Sequence, residues 1–443
     1  MTKEELLKKK FHIVQLGCDK NRVDGEKIAY LLQNYGLKQT ANPEDAEIII
    51  VNTCAFIKSA KEESIDCICS AIDCKSDKCE KLIVTGCFAQ RYYDEAKTGF
   101  PEVDAVVRLK NNEQIVNVVK GLYGLDTTQN DCAKLSALKR SLSTPSHYAY
   151  LKIADGCNNC CAYCTIPKIR GRFTSVPVEE LYKEAKALVK NGVKELILVA
   201  QDVTNYGTDI YGEPKLVELI QTLSKIKKLK WIRLHYCYPN LITDRLLNEI
   251  VNNKKVCKYL DIPMQHASSE ILRAMNRRDT LEAYNELLKK IHNLPRFVAI
   301  RSTFIVGFPG ETNKDFETLK EFLERQKLQY VGFFKYSREE YTAAYIMPKQ
   351  VNEKVKDERL AEVQELQEKI MIKSQKQFIG HTTLCILEKI DDDGTLTLRN
   401  QYNSPSVDSL VFAQKGNKKV KVGEFYNVKI TGLYGIDLAG EIV

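Results

Sequence analysis

Residues 155–164 have the sequence DGCNNCCAYC, in which Cys157, Cys161 and Cys164 are separated by three and then two intervening residues. Three deprotonated thiols on one short loop can hold three irons of a cubane cluster, which leaves the fourth iron open to another ligand. The spacing therefore predicts an iron–sulfur cluster with redox chemistry, and a zinc site or chance clustering is the alternative. Cys160 lies in the same stretch and could replace Cys161, with the two spacings reversed.

A second set of three cysteines, Cys18, Cys54 and Cys87, is spread over the N-terminal part of the chain. Each follows an apolar run that predicts a buried strand, and helical patterns separate the runs. The strands are predicted at 11–16, 47–51 and 82–85. Parallel strands with helical crossovers end on the same edge of a sheet, so the three thiols should converge there. This pattern predicts a second open cluster, with buried structural thiols as the alternative.

The segment from 148 to about 345 alternates predicted strands and helices roughly six times. The strands are predicted at 148–153, 195–200, 231–235, 259–264, 298–306 and 331–336. Six parallel strand–helix units predict a partial (β/α)6 barrel, similar to a TIM barrel, with its chemistry at the C-terminal mouth. The cysteine loop follows the first strand. Gln201 follows the second strand, and Gly307 and Gly310 follow the fifth, which places all three at that mouth.

The remaining segments complete an α/β protein with three domains. Residues 351–377 have the apolar stripe of a connecting helix, and 378–443 have short alternating runs that predict a small antiparallel β-barrel. We place the N-terminal domain at 1–125, a linker at 126–147 and the partial barrel at 148–350. The last segment carries eight acidic and seven basic residues, so it is not a simple electrostatic clamp for RNA.

The composition is ordinary, with 443 residues, 44% apolar, 28% charged and a net charge of +8. No run approaches the ~20 apolar residues of a membrane span, and the charged start lacks the apolar core of a signal peptide. We therefore expect a cytoplasmic protein with no membrane partner. Disulfides are rare in that compartment, which favours metal binding or catalysis for the cysteines. A zinc knot of Cys67, Cys69, Cys74 and Cys79 is a further alternative, although Cys69 fits the apolar stripe of a helix.

The loop at 155–164, placed after the first barrel strand, resembles the radical S-adenosylmethionine (SAM) superfamily. Together with the N-terminal cysteines and a C-terminal barrel of the TRAM type, it resembles the methylthiotransferase family over nearly the whole chain. Similarity to the branch that modifies a ribosomal protein lies in GCDKNRVD at 17–24, NTCAFI at 52–57, PEVDA at 101–105, AYLKIADGC at 149–157 and FIVGFPGE at 304–311. The stretch RNQYNSPSVDS at 399–409 departs from the family pattern because it lacks an acidic pair, a difference that bears on partner docking.

The resemblance implies SAM and two 4Fe-4S clusters as cofactors, with no catalytic side chain beyond the cluster ligands. The auxiliary cluster would be held by Cys18, Cys54 and Cys87, and the radical SAM cluster by Cys157, Cys161 and Cys164. The SAM contacts would be Tyr163, Gln201, Gly307 and Gly310. One SAM would methylate a sulfur on the auxiliary cluster, and a second would yield a 5′-deoxyadenosyl radical. That radical would remove hydrogen from the β-carbon of an aspartate in the twelfth protein of the small ribosomal subunit, and the carbon would then capture the methylthio group.

The implied partners are that ribosomal protein, free or in the assembled small subunit, and an electron donor of the flavodoxin or ferredoxin type. The sulfur donor stays open. A tRNA adenosine methylthiotransferase is an alternative function with the same clusters, and it would carry a basic, aromatic C-terminal barrel. An iron–sulfur scaffold or electron carrier, which would not cleave SAM, is an alternative from a different class.

Overall fold

The computed structural model describes residues 1–128 and 139–443. The N-terminal strands are β1 Lys10–Gln15, β2 Lys38–Gln39, β3 Ile48–Thr53, β4 Lys81–Thr85 and β5 Ala105–Val106. The helices are α1 Lys3–Leu6, α2 Asp19–Tyr35, α3 Lys58–Asp73, α4 Gly86–Arg91, α5 Tyr93–Gly99 and α6 Ile115–Leu122. The five strands form one parallel sheet in the order β2-β1-β3-β4-β5. The sequence predicts only the three central strands, because two-residue strands such as β2 and β5 carry no periodic signal.

The central strand β3 is buried along its whole length, as its continuous apolar run predicts. Ile48 and Ile50 pack on one face of the sheet with Ile28 of α2. Ile49 packs on the other face with Ile68 of α3. Helices therefore cover both faces, and the carboxyl ends of the parallel strands lie along one edge of the sheet.

The middle domain has strands β6 Tyr148–Lys152, β7 Ala154–Asp155, β8 Thr174–Ser175, β9 Glu195–Val199, β10 Trp231–Leu234, β11 Tyr259–Asp261, β12 Ala299–Val306 and β13 Tyr330–Lys335. Its helices are α7 Ile166–Arg170, α8 Val178–Lys190, α9 Thr208–Tyr211, α10 Leu216–Ser224, α11 Asp244–Asn252, α12 Ser269–Ala274, α13 Leu281–His292 and α14 Asn313–Gln326. Parallel pairing joins β6, β9 and β10 in one sheet and β11, β12 and β13 in another. A parallel bridge between Ile232 of β10 and Val256, just before β11, and a hydrogen bond from the N–H of Cys237 to the oxygen of Asp261 at 2.8 Å bring the two sheets together, which confirms the predicted partial barrel.

The cysteine loop does not leave β6 directly. Strand β7 pairs antiparallel with β8, and residues 156–173 form an excursion between these two short strands. The sequence does not predict this pair, because each strand has only two residues.

The C-terminal part consists of helix α15 Glu353–Lys376 and a closed five-stranded barrel. The barrel strands are β14 Thr382–Ile390, β15 Thr395–Asn400, β16 Val411–Gln414, β17 Phe425–Tyr434 and β18 Asp437–Ile442. All pairs are antiparallel except β16 with β18, which pair in parallel and close the barrel. The predicted α/β class with a terminal small barrel is confirmed.

The two flanking domains cover the inner face of the partial barrel. Side chains alternate along β9, so Leu198 faces the helices, whereas Ile197 and Val199 pack with Val23 of the N-terminal domain. On the neighbouring strands, Trp231 and Tyr259 pack with Ile386 of the C-terminal barrel. All three domains therefore meet inside the partial barrel.

The stretch at 399–409, which departs from the family pattern, lies mostly inside this interface. Arg399 donates to both carboxylate oxygens of Glu195, and Arg233 donates to the same carboxylate at 2.7 Å. Arg233 also donates to the main-chain oxygen of Gln401 at 3.0 Å. Asp408 accepts from the Tyr259 hydroxyl at 2.7 Å. Much of this stretch therefore holds the C-terminal barrel against the middle domain and is not free to contact a partner.

Loss of the Glu195 charge should destabilise this interface. Its side chain and those of both arginines are fully buried, and although burial opposes ionisation, Arg399 and Arg233 lower the pKa of Glu195 to about 2. Glu195→Gln would leave the buried Arg233 without a carboxylate partner among the described residues and Arg399 with Glu388 alone, and breaking a buried ion pair costs about 3–5 kcal/mol. We expect the temperature of the first thermal unfolding transition, measured by calorimetry, to be clearly lower than in the wild type.

The control for this variant is Glu365→Gln, because Glu365 and its partner Lys369 are both exposed. An exposed pair of this kind contributes little to stability, because water screens the two charges. Equal unfolding temperatures for Glu195→Gln and Glu365→Gln would contradict the role of the buried cluster.

Part of the predicted linker at 126–147 and Cys132 lie outside the described residues. The described part after residue 138 is tightly held, since Arg140 donates to Glu26 at 3.1 Å and to Glu184 at 2.7 Å. The domain boundaries at 125, 147, 350 and 377 stay predictions. In the described ranges, no helix combines the length and the apolar character needed to cross a membrane.

Candidate functional site

The three N-terminal cysteines lie at one edge of the parallel sheet, as the strand pattern predicts. Cys18 precedes α2, Cys54 follows β3, and Cys87 lies in the first turn of α4. At Gly17, where φ is +78°, an added Cβ would lie 2.9 Å from Cys54 Cβ, so the first two loops touch. The thiol of Cys87 is close enough to those of Cys18 and Cys54 for charge on one to affect the others.

Side-chain hydrogen bonds hold these three loops together. The Asn21 amide donates to the main-chain oxygens of Leu16 at 2.8 Å and Thr53 at 3.2 Å, which ties the Cys18 loop to the Cys54 loop. The Thr53 hydroxyl bonds the oxygen of Thr85 and accepts from the N–H of Phe88 at 3.2 Å, which ties the Cys54 loop to the Cys87 loop. The positions of the thiols are thus set by the fold itself.

The second set of thiols lies on the loop between β7 and β8. The N–H of Cys157 donates to the oxygen of Gly171 at 3.1 Å, and the N–H of Cys164 donates to the oxygen of Cys161 at 3.0 Å. The N–H of Asn159 points at the sulfur of Cys157 at 3.4 Å, an arrangement that suits a thiolate ligand. The loop therefore folds back on itself around its cysteines.

Cys160 differs from its neighbours on this loop. It is exposed and has φ +47°, and its main-chain oxygen accepts from the Asn276 amide at 2.9 Å. Cys157, Cys161 and Cys164 are instead partly buried. This difference supports the assignment of Cys161 rather than Cys160 as a ligand.

The chemistry of the buried thiols fits two clusters. Burial raises the pKa of Cys87 to about 12 and that of Cys157 to about 11, and it also raises the pKa values of Cys54 and Cys164. Such thiols stay protonated at neutral pH unless a metal replaces the proton. A cubane presents a separate iron to each thiol, so three neighbouring thiols at each site match its open form.

Among residues 1–128 and 139–443, no three His, Cys, Asp or Glu side chains gather closely enough to bind a single metal ion. The zinc knot of Cys67, Cys69, Cys74 and Cys79 thus has no support in the described structure. The expectation that Cys69 belongs to a helix's apolar stripe was wrong, because this residue is exposed.

Arg170 links the segment that carries the second set of thiols to Cys87 of the first set. It lies at the end of α7, six positions after Cys164, and its side chain is fully buried. One terminal nitrogen points at the sulfur of Cys87 at 3.6 Å, and the other donates to Asp24 at 2.9 Å and to Asp155 at 3.0 Å. A residue of the excursion that carries Cys157, Cys161 and Cys164 therefore lies 3.6 Å from a thiol of the other set.

Asp155 extends this contact toward the barrel mouth. Although burial alone would raise it, the charges of Lys152 and Arg170 hold the pKa of Asp155 below its usual range. Its carboxylate accepts from Lys152 at 2.9 Å and from the Gln201 amide at 3.0 Å. The network thus runs from Cys87 to the strand end that carries Gln201.

The four residues assigned as SAM contacts have different surroundings. Gln201 keeps a buried side-chain oxygen without a partner among the described residues, and Gly310 has open space where a Cβ would point. Tyr163 packs edge-on against Phe308, with ring centroids 6.4 Å apart. At Gly307 a Cβ would lie 2.3 Å from Lys356 of α15, so packing of the connecting helix already requires glycine there.

Gly156 is required by the geometry of the cysteine loop. Its φ is +76°, and an added Cβ would lie 2.1 Å from the main-chain oxygen of Arg172, which cannot move aside like a flexible side chain. In Gly156→Ala we expect the loop to lose its cluster, so that iron falls from about eight to about four per chain. Iron analysis and the visible spectrum of the reconstituted protein measure this.

Gly99→Ala serves as its control, because nothing lies within 4 Å of the position that the new Cβ would take. A Gly156→Ala protein with full iron content and wild-type SAM cleavage would show that the loop tolerates the change.

The polar residues between the two sites are not identified by the sequence patterns. Lys20 lies in the stretch at 17–24, and Arg170 follows the cysteine loop at 155–164. Neither the spacing nor the residue type indicates that these side chains cross a domain interface. Their positions follow only from the packing of the N-terminal domain on the barrel mouth.

Family models match three separate parts of the chain. A model described as the radical SAM superfamily matches residues 151–323, and one described as the uncharacterised protein family UPF0004 matches residues 10–108. A model of the TRAM domain matches residues 379–443. The first and second matched regions contain the two sets of thiols, and the third contains the small barrel.

Several proteins are similar over nearly their whole length. Ribosomal protein uS12 methylthiotransferase RimO of Acetivibrio thermocellus is 43% identical, covering 99% of both chains. The protein of the same name from Caldanaerobacter subterraneus subsp. tengcongensis is 43% identical over 97% of this chain and 99% of that one. The protein of the same name from a Thermoanaerobacter species is 41% identical over 97% of this chain and 99% of that one.

Solved structures show the same fold at low identity. The radical SAM methyltransferase TsrM from Kitasatospora setae, with a tryptophan substrate and a SAM analogue bound, is 12% identical, with a TM-score of 0.54 over 85% of this chain and 78% of that one. The cobalamin-dependent SAM radical enzyme OxsB is 13% identical, with a TM-score of 0.52 over 83% of this chain and 57% of that one. At these identities the likeness concerns the fold alone.

Proposed function

The chain belongs to the RimO-type radical SAM methylthiotransferase family, and from this premise we propose that it adds a methylthio group to an aspartate of ribosomal protein uS12. It is a transferase that uses SAM and two 4Fe-4S clusters, as the family does. The proposed site of modification is the β-carbon of the aspartate. The observation that carries the proposal is the pair of thiol triads, with Arg170 from the segment of the second triad 3.6 Å from Cys87 of the first, in a chain similar to uS12 methylthiotransferases over nearly its whole length.

We propose Cys18, Cys54 and Cys87 as ligands of the auxiliary cluster and Cys157, Cys161 and Cys164 as ligands of the radical SAM cluster. When bound, the clusters supply the electron for SAM cleavage and the sulfur for transfer. The protein contributes position: Arg170 holds the Cys87 loop against the cysteine loop, and Asp155 fixes Arg170 and Gln201. The unpartnered oxygen of Gln201 is suited to accept a hydrogen bond from SAM.

The C–H bond at the β-carbon explains the need for radical chemistry. An unactivated carbon has no usable acidity, so a side-chain base could not remove its hydrogen. A tRNA adenosine methylthiotransferase is the second candidate function. The near-neutral C-terminal segment, with eight acidic and seven basic residues, argues against it.

The small ribosomal subunit is the partner class that the relatives' names support. We propose in addition that the protein works in the cytoplasm and receives electrons from a flavodoxin or ferredoxin. Reactions with free uS12 and with the assembled subunit, run separately, identify the better substrate.

The test is an anaerobic reaction of the reconstituted protein with SAM, dithionite and purified uS12. Mass spectrometry should show the mass added when SCH3 replaces H on one aspartate, and 5′-deoxyadenosine should accumulate. The proposed substrate would be wrong if 5′-deoxyadenosine were released and tRNA were thiolated, while uS12 was thiolated neither free nor in the subunit. No release of 5′-deoxyadenosine would leave only an electron carrier.

A further inference from the structure

Lys20 is a buried lysine without a carboxylate partner among the described residues. It is 6% exposed. Its ammonium group reaches the main-chain oxygen of Ala200 at 3.5 Å and lies 3.4 Å from the centroid of the Tyr236 ring. An ammonium group has three N–H donors, so this one long hydrogen bond leaves it incompletely satisfied. A buried charge in this condition is costly unless an anion joins it.

The carboxylate next to Lys20 in sequence is already engaged. A carboxylate oxygen of Asp19 lies 3.7 Å from Nδ1 of His235, and although burial opposes it, the neighbouring His235 and Tyr150 side chains lower the pKa of Asp19. His235 in turn bonds the hydroxyl of Ser404 at 2.7 Å. The charge of Lys20 helps to keep Asp19 ionised, but no ion pair joins the two side chains.

Lys20 follows Cys18 in the chain and contacts the mouth of the partial barrel. It is in the first turn of α2, two residues after Cys18, and it crosses the interface to the ends of two barrel strands. Ala200 follows β9 and precedes Gln201, and Tyr236 follows β10. Tyr236 has φ +59° and is held there by its N–H bond to Asp261 at 3.0 Å. A tyrosine in the left-handed region is strained, and such strain is typical of functional sites.

We propose that Lys20 binds the side-chain carboxylate of the substrate aspartate. This inference rests on the proposed function. The β-carbon of aspartate is bonded directly to the carboxylate carbon, so a cation that holds the carboxylate also fixes the reacting carbon. Lys20 occupies the place where that anchor is needed, beside Cys18 and facing the barrel mouth. The carboxylate would complete the hydrogen bonds of the ammonium group, and the Tyr236 ring would stay on its other side.

The proposal also assigns Lys20 a part in specificity. An asparagine has the shape of aspartate but no charge, so it would leave the buried ammonium group without a counter-charge. Sites with a buried polar partner reject analogues that cannot pair with it. We therefore expect uS12 with asparagine at the target position to bind poorly to the wild-type enzyme.

The test compares Lys20→Met with Lys20→Arg in the reconstituted full-length enzyme, and Lys38→Met, at an exposed position on β2, is the control. For Lys20→Met we expect the KM for uS12 to rise about 10- to 100-fold, the usual effect of losing a charged hydrogen bond. SAM affinity, iron content and the electron paramagnetic resonance spectrum should match the wild type. Lys20→Arg should recover part of the uS12 affinity.

Three results would overturn the proposal. One is an unchanged KM for uS12 in Lys20→Met, and another is weakened SAM binding with normal uS12 binding, which would assign Lys20 to the SAM carboxylate. The third uses the wild type alone, so it does not depend on a folded variant: equal binding of uS12 with aspartate or asparagine at the target. If the wild type does not thiolate uS12 at all, the proposed function fails instead.

Discussion

Cys157→Ala should reduce 5′-deoxyadenosine formation to the level seen without enzyme. The cysteine loop holds three thiols for one cluster, and two thiols on an excursion between two-residue strands cannot retain it. We expect iron to fall from about eight to about four per chain, with the remaining iron at the auxiliary site. Methylthio transfer should disappear together with SAM cleavage. Liquid chromatography of the reaction and iron analysis of the protein measure both effects.

The matched control lies inside the same loop. Cys160→Ala should keep full SAM cleavage, because Cys160 is exposed and only its main-chain oxygen is held. Cys161→Ala should behave like Cys157→Ala. If the alanine at 160 abolished cleavage while the one at 161 did not, the assignment of the second ligand would be wrong.

Cys54→Ala should separate the two halves of the reaction. We expect 5′-deoxyadenosine to form at a rate close to wild type, because the radical SAM loop keeps all three of its thiols. Methylthiolated uS12 should become undetectable, since we propose that the cluster held by Cys54 provides the sulfur. Iron should again fall to about four per chain, now with the radical SAM cluster retained.

Cys79→Ala is the control for Cys54→Ala. Cys79 is a buried cysteine of the same domain, 4% exposed, but it lies before β4 and away from the sheet edge. It should keep both activities. Thiolated product from Cys54→Ala would count against its role as a ligand of the sulfur-providing cluster.

The positions of both sets of thiols follow from the sequence because they depend on local order. Cys54 comes directly after a strand whose six residues are all buried, and such a strand has an unmistakable apolar run. Parallel strands then bring Cys18 and Cys87 to the same edge. The loop spacing at 157–164 is likewise local.

The network between the sites depends on how domains pack, and no local pattern encodes it. Arg170 is one of many basic residues, and only the structure shows its contacts with Cys87 and Asp24 of the N-terminal domain. Lys20 lies within the quoted stretch at 17–24, but its burial against Ala200 requires the barrel mouth.

The role of the stretch at 399–409 also depends on domain packing and could not be predicted from the sequence. Its departure from the family pattern suggests a change in partner docking. In the structure Arg399 is fully buried and bound to Glu195, so part of the stretch serves the attachment of the C-terminal barrel. A buried arginine with a distant partner has no signature in the sequence around it.

The measurement that tests the central claim most directly is the iron content and Mössbauer spectrum of anaerobically reconstituted wild-type protein. Two cubanes, each held by three cysteine thiols, predict about eight irons per chain, with both Cys54→Ala and Cys157→Ala at about four. About four irons in the wild type, lost in only one of these two variants, would contradict an enzyme with two clusters.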